Sequence, residues 1–380
     1  MGGVVTTMLL PEMTQARWLS PSSGWLSPSS RLPSPSKGQA EAGLVDRFGR
    51  VHRDLRVSVT DRCDLRCSYC MPAGGVPLAP AATLLSADEI VRVVGVATRL
   101  GITQVRLTGG EPLVRADLVQ IVAGIASLPE RPEVSMTTNA IGLAGLAPRL
   151  AEAGLSRVNV SLDSLDAQRY ARLTRRDRLA EALDGLAAAE ACGLRPVKLN
   201  AVLVPGVNQD DAVPLLDFAL AHGYELRFIE QMPLDGGHVW QRATMISAEE
   251  ILARLRAAHR LRPLEETPVD HAPVVASGRG ASPAARWLVD DGPGTVGVIA
   301  AVTRPFCADC ERLRLTADGQ LRNCLFARTE SDLRTSLRGG ASDAELVAVF
   351  RACVAAKRAG HGIGEPGFVQ PDRPMSAIGG

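Results

Sequence analysis

The sequence lacks both a charge imbalance and any long apolar run. Lys and Arg number 42 against 41 Asp and Glu, a net charge of +1. That balance gives no electrostatic argument for nucleic acid or an acidic membrane as partner. No apolar run approaches the roughly 20 residues a membrane helix needs. No secretory signal is evident, so a reducing, cytoplasmic setting is expected. Cysteine is sparse but not scattered. Of eight cysteines, Cys63, Cys67 and Cys70 form one compact group and Cys307, Cys310 and Cys324 a second. Such clustering points to metal ligation rather than disulfides. Cys192 and Cys353 stand alone in helical patterns and read as small buried apolar residues without chemistry. Each compact group also lacks a fourth ligand, and that absence decides what it can hold.

The first group is CDLRCSYC, directly after the β-branched run Arg56–Thr60. Three thiolates in so short a loop suit three corners of a cubane iron–sulfur cluster, with one iron left open to a small molecule. Structural zinc is normally closed by four ligands, and no fourth Cys or His follows nearby. The pattern, with Tyr69 before its last cysteine, resembles the signature of the radical S-adenosylmethionine (SAM) superfamily.

Residues 1–43 are rich in Ser and Pro and read as a flexible tail. Arg17 and Arg31 with few acids suit a transit peptide, but the prolines spoil any long amphipathic helix. From Leu55 a unit repeats. Ser86 and Glu89 form a capping box before Ile90, Val93, Val94, Ala97 and Leu100 on one helical face. GITQVRLT from Gly101 returns as GLSRVNVS, GLRPVKLN and GYELRFIE from Gly154, Gly193 and Gly223. Each is a helix-ending glycine, a turn and an apolar strand. Strands alternating with helices imply a parallel sheet. The expected fold is α/β, an incomplete six-stranded (β/α) barrel over 44–240. A C-terminal segment, 241–380, is expected to cover its open side.

Each strand runs into polar residues at its C-terminal end, where (β/α) barrels build active sites. These are the cysteine loop, Gly109-Gly110-Glu111-Pro112, Thr137-Thr138-Asn139, Ser161-Leu162-Asp163, Lys198 and Asn200 on the fifth strand, and Glu230-Gln231-Met232. The glycines of the second turn permit close approach of a ligand, and Glu111 is placed to accept from an ammonium group. Taken alone, the same residues read as a tight β–α turn with a capping Glu.

Farther on, Ser247 and Glu250 cap a helix, Arg262–Ala285 reads as loop, and short strands follow at Arg286–Val289 and Thr295–Val302. Arg312 and Arg314 share one strand face. Asp318-Gly319 is a hairpin signal that would fold Cys324 back towards Cys307 and Cys310. Ser342 and Glu345 cap a last helix. The second triad suits another cluster with an open iron, or a zinc ribbon missing one ligand. Arg56, Arg106, Lys198, Arg312 and Arg314 occupy strand positions where apolar residues are expected. Unpaired buried cations are costly, and a phosphorylated substrate would compensate them.

Taken together, the chain resembles the GTP 3′,8-cyclases, the radical SAM family that starts molybdenum cofactor (molybdopterin) biosynthesis. The marks are DLRVSVTDRCDLRCSYCMP, VRLTGGEPLVRADL, RVNVSLDSL, ELRFIEQMP, FCADCERLRLTADGQLRNCLF and the closing Gly379-Gly380. The resemblance implies that Cys63, Cys67 and Cys70 ligate a [4Fe-4S] cluster that binds SAM, with Tyr69, Gly110, Ser161 and Met232 contacting SAM. It implies GTP contacts for Arg56, Arg106, Thr137, Lys198, Arg312 and Arg314. Cys307, Cys310 and Cys324 would hold a second [4Fe-4S] cluster facing the guanine, and Gly379-Gly380 would reach into the site. The implied reaction takes hydrogen from C3′ of GTP and joins C3′ to C8. An external one-electron donor, a downstream cyclic pyranopterin monophosphate synthase and a homodimer are the partners it implies. One departure is Ala140, where the family more often has Gly after Thr-Thr-Asn. The rival readings are a radical SAM enzyme acting on peptides, which resembles chains with more C-terminal cysteines, and a zinc-bound structural module.

Overall fold

The computed structural model describes residues 43–264 and 281–379. All but the last residue of the tail expected over 1–43, most of the loop expected over 262–285, and Gly380 lie outside the described residues. The described residues belong to one compact unit.

Six strands alternate with helices as the repeat predicts. They are β1 (Asp54–Ser58), β2 (Gln104–Thr108), β3 (Glu133–Thr138), β4 (Arg157–Ser161), β5 (Lys198–Val202) and β6 (Glu225–Ile229). The chain returns between them through α1 (Ala87–Arg99), α2 (Leu118–Ala126), α3 (Leu143–Glu152), α4 (Ala167–Thr174), α5 (Leu179–Ala191) and α6 (Ala212–His222). Ser86 caps α1 as expected, its hydroxyl accepting from Glu89 N while the Glu89 carboxylate accepts from Ser86 N. The expected inner face of α1 is buried. The four repeated glycines take φ between 68° and 103°, which closes each helix before its strand.

Beyond β6 come α7 (Ala248–Arg256), β7 (Leu261–Pro263), β8 (Ala285–Val289), β9 (Thr295–Ile299), β10 (Arg312–Leu315), β11 (Gln320–Arg322) and β12 (Ser331–Asp332). Helices α8 (Arg334–Arg338), α9 (Asp343–Ala355) and α10 (Met375–Ile378) complete the chain. The hairpin expected at Asp318-Gly319 joins β10 to β11, with Gly319 at φ 81°. Capping boxes start α7 and α9 at Ser247 and Ser342 as expected.

The sheet runs β12-β11-β10-β1-β2-β3-β4-β5-β6-β9-β8-β7. Here the structure goes beyond the expectation. The residues after 240 do not stand apart from the barrel. Strand β10 pairs parallel with β1 and β9 pairs parallel with β6, so the C-terminal segment lengthens the parallel run at both edges. Antiparallel β11 and β8 then flank that run, and the sheet stays open. The segment therefore widens the barrel as well as closing over it. Loop residues 262 and 263 also join β7, pairing with β8.

The main apolar core lies between sheet and helices, with Leu55, Val57, Val105, Leu107, Val158, Leu199 and Phe228 fully buried on the outward strand face. A second, smaller cluster of Leu234, Met245, Val302, Phe326, Ile363 and Ile378 packs elsewhere, partly against Met232 and Cys324. Among the described residues, no helix is long and apolar enough to cross a membrane.

Candidate active site

Alternation along each strand puts outward residues in the core and the intervening ones inside the barrel. The inward set is polar. Arg56, Arg106, Thr137, Asn159, Ser161, Asn200, Arg227, Arg312 and Arg314 line one cavity of about 270 Å³, with Tyr69, Met232 and Met375 at its wall. Cys70 of the first triad and Cys307, Cys310 and Cys324 of the second line that same cavity. The two cysteine groups, 237 residues apart from Cys70 to Cys307, are thus brought together.

The register makes the charge explicit. Arg314, Arg56 and Arg106 are direct neighbours on β10, β1 and β2. Neighbouring strands lie about 4.8 Å apart, so three guanidiniums project side by side. One level down lies Asp54, buried, with Arg312 Nε at 3.7 Å. Burial would raise the Asp54 carboxyl, but Arg56, Arg106, Arg312 and Arg314 hold it below the usual carboxylate value. Four cations thus press on one carboxylate. Burial in turn lowers the guanidinium pKa values of Arg56, Arg106 and Arg314. Arg56 Nε has no hydrogen-bond partner. Phe306 stacks under Arg312 at 5.0 Å.

The first cysteine loop is rigidly seated. Arg66 N donates to Thr174 O and Ser68 N to Leu173 O, tying it to the end of α4. Cys70 N closes a turn onto Cys67 O at 2.9 Å. Burial pushes the Cys63 thiol up to about 12 and Cys70 to about 11, and raises Cys67 as well. Tyr69 donates to Asp163 Oδ2 at 2.7 Å, and Asp163 Oδ1 accepts from Val202 N. This fixes the aromatic ring across the ends of β4 and β5.

The second turn packs closely against the first cysteine loop. The close approach at Gly109-Gly110 is made by the cysteine loop itself. A Cβ on Gly110 would fall inside contact distance of Arg62 O and lie 2.5 Å from Arg62 C, while Gly110 N donates to Thr60 O. Glu111 is turned into the protein and does not line the cavity. Its carboxylate accepts from Leu113 N, Thr138 Oγ1 and Asn139 N. Burial pushes its pKa up to about 7. Through these three donors it holds the end of β3 in place.

In the second group, Cys307 and Cys310 sit on a 3-10 turn and Cys324 follows β11. Burial raises Cys307 to about 11 and also raises Cys324. Burial would raise Cys310 too, but Lys357 and Arg312 bring it below the usual thiol value. All eight cysteines are free thiols. Among the described residues, no three or more His, Cys, Asp or Glu side chains gather around a point able to hold a single metal ion. A single zinc needs thiolate ligands about 3.8 Å apart, from a Zn–S bond of about 2.3 Å in tetrahedral geometry. A cluster offers each thiolate its own iron, and three half-buried free cysteines per site fit that demand.

Lys198 does not line the cavity. Its ammonium lies 3.4 Å from Glu225 Oε2, and Glu225 also pairs with Arg227. Gly379 is buried, its carbonyl accepting from Arg314 Nη1, while Ser58 Oγ donates to Ile378 O at 2.9 Å. The chain end thus packs against the C-terminal ends of β1 and β2. Gly380 lies outside the described residues. Ala140 takes φ 64°, the conformation a glycine favours there. Sequence reasoning placed Asp163 and Asn200 at strand ends but passed over Asn159, Arg227 and Lys357. Arg227 carried the same signal as Arg56, a cation in an apolar strand.

The radical SAM superfamily model matches residues 57–219, and the model for Molybdenum Cofactor Synthesis C matches 224–363. A GTP 3′,8-cyclase of Mycobacterium sp. (strain KMS) is 60% identical over 338 residues, covering 89% of this chain and 93% of that protein. GTP 3′,8-cyclase 2 of Mycobacterium tuberculosis H37Rv is 58% identical, with 89% and 92% covered. GTP 3′,8-cyclase of Mycolicibacterium smegmatis is 56% identical, with 91% and 94% covered. Streptococcus suis SuiB bound to S-adenosylmethionine is similar in fold, with a TM-score of 0.53 at 14% identity, covering 80% of this chain and 69% of that one. An open parallel sheet, two facing cysteine triads and relatives this close over nearly the whole described length have one outcome: the chain belongs to the GTP 3′,8-cyclase family of radical SAM enzymes.

Proposed function

We propose that the barrel cavity converts GTP to 3′,8-cyclo-7,8-dihydroguanosine triphosphate, held between an iron–sulfur cluster on each cysteine triad. The activity is that of a lyase, the first step of molybdenum cofactor biosynthesis. One observation carries the residue assignment: Arg314, Arg56 and Arg106 stand side by side in a cavity lined by Cys70 of the first triad and by the whole second triad. A row of guanidiniums facing one carboxylate demands an anion of several charges, and a triphosphate supplies them.

The first triad, Cys63, Cys67 and Cys70, holds the cluster that binds SAM, and Cys307, Cys310 and Cys324 hold the second. When bound, the first cluster and SAM supply a radical able to take hydrogen from an unactivated ribose carbon, which no ordinary side chain can do. Tyr69, Gly110, Ser161 and Met232 position SAM. Arg56, Arg106, Arg227, Arg312 and Arg314 clamp the triphosphate, and Lys198 with Glu225 orients Arg227 from below. Thr137, Asn159 and Asn200 offer hydrogen bonds at the level between. Asp163 holds Tyr69 and Glu111 holds the Thr138-Asn139 turn, so both shape the site without touching substrate. Gly379 supports Arg314 from the tail side. The apolar cluster around Ile378 excludes water. An external electron donor, a synthase that consumes the product, and a cytoplasmic setting complete the reading; a homodimer is the expected assembly.

Anaerobic incubation with GTP, SAM and a reductant tests it. The product is an isomer of GTP, so mass spectrometry after chromatography will show a new peak of unchanged mass beside 5′-deoxyadenosine. GTP recovered as a single unchanged species, with both cysteine groups loaded, rejects the assignment.

A further inference from the structure

Beside the second triad lies a lysine that the sequence reading left aside. Lys357 follows α9 and is 3% exposed. Its ammonium donates to Arg312 O at 2.8 Å and towards Cys310 Sγ at 3.7 Å. Among the described residues, no carboxylate lies within ion-pair distance of it. A buried, unpaired ammonium costs several kcal/mol in general. The fold accepts that cost beside three thiols. Once those thiols ionise on iron, the lysine has its counter-charge.

The same ammonium reaches two parts with different tasks. Cys310 belongs to the triad. Arg312 belongs to β10, beside Asp54, and its side chain faces the cavity. On the neighbouring cysteine, Arg50 does a parallel job. Its guanidinium donates to Cys307 O at 2.6 Å, Ala359 O and Arg358 O, and Asp46 holds it at 2.6 Å. Arg50 spends its donors on carbonyls. Of these two cations, it is Lys357 that addresses a ligand sulfur.

We propose that Lys357 is a positioning residue for the second cluster: its ammonium fixes Cys310 against β10 and draws the cluster's reduction potential upward. The second effect follows from charge. A cation and an N–H···S hydrogen bond both stabilise the more negative, reduced state of a cluster. The proposal rests on the two-cluster reading above.

The test uses the full chain with Cys63→Ala, Cys67→Ala and Cys70→Ala, so that all iron belongs to the second triad. Lys357→Met and Lys357→Arg are added to that background and reconstituted anaerobically. Iron per chain, thermal midpoint, and reduction potential by EPR-monitored titration are measured. The expected result is that Lys357→Met keeps the background's thermal midpoint but titrates at a more negative potential, and Lys357→Arg moves it back. Iron lost in Lys357→Met and retained in Lys357→Arg, at equal thermal midpoints, supports the holding role. Full iron and an unchanged potential in Lys357→Met overturn the inference. Iron and thermal midpoint falling together in both variants show a plain folding role and overturn it too. If the background itself binds no iron, the second-cluster reading fails before Lys357 is reached.

Discussion

Changing Gly379 to Ala probes how the chain end serves the site. Gly379 sits at φ 90°, buried against the C-terminal ends of β1 and β2. A Cβ there would fall inside contact distance of Ser58 Oγ and lie 2.8 Å from Thr108 Cγ2. Positive φ costs an alanine about 1–2 kcal/mol. Forcing a methyl into a packed site adds about 1–3 kcal/mol. Against this, the seated tail gains Ile378 burial, about 2 kcal/mol. Hydrogen bonds from Ser58 and Arg314 to the tail, and from Met375 N to Leu234 O, add about 1 kcal/mol each. Those gains are of the same size as the entropy of ordering the short α10, about 1–2 kcal/mol per residue. The margin is small, so a further 2–5 kcal/mol shifts the tail towards release by roughly 30- to 4,000-fold. Turnover will fall with it, and amides of 376–379 will exchange faster by mass spectrometry, while iron content stays at its wild-type level. Adding Ser58→Ala removes the worst overlap and restores part of both readouts. Wild-type turnover with an equally protected tail in Gly379→Ala would refute the reasoning.

Other outcomes follow from the same geometry. Arg106→Ala removes one of three adjacent guanidiniums, and GTP affinity drops by about 10- to 100-fold, from roughly 1.5–3 kcal/mol for a charged hydrogen bond; unchanged affinity by fluorescence titration removes it from the triphosphate site. Gly110→Ala drives a Cβ into the Arg62 carbonyl, so the first loop loses its iron while the second triad keeps its own; full iron by elemental analysis contradicts the packing seen here. His259 bridges Asp290 and Asp217 at 2.7 and 2.9 Å, and Asp290 raises its pKa above 6.5 despite partial burial. That pair stabilises fully below pH 6.5 and fades as pH rises through the higher folded-state value. Thermal midpoints at pH 5.5 and 8.5 will therefore differ more in the wild type than in His259→Gln; equal differences dismiss the contribution.

The periodic features were legible because they are local. Capping boxes at Ser86, Ser247 and Ser342, the glycines ending four helices, and the hairpin at Asp318-Gly319 each need only a few neighbouring residues. The cavity cations were legible for another reason: Arg56 and Arg314 interrupt apolar strands, which calls for a compensating anion. What stayed hidden is pairing at a distance. Nothing near Arg312 states that β10 adds to β1, and nothing in Thr295–Ile299 states that β9 adds to β6. Glu111 follows the same logic. Its sequence neighbours cannot show that Thr138 and Asn139 arrive to claim its oxygens. Lys357 sits just past the end of α9, where a lysine normally reads as a solvated charge complementing the helix dipole.

The central claim is that a ribose lies between the two cysteine groups with C3′ presented to the SAM side. GTP deuterated at C3′ tests this most directly, by mass spectrometry of the 5′-deoxyadenosine formed in anaerobic turnover. Deuterium in that product is the result expected here. Unlabelled 5′-deoxyadenosine formed along with cyclised nucleotide would contradict it.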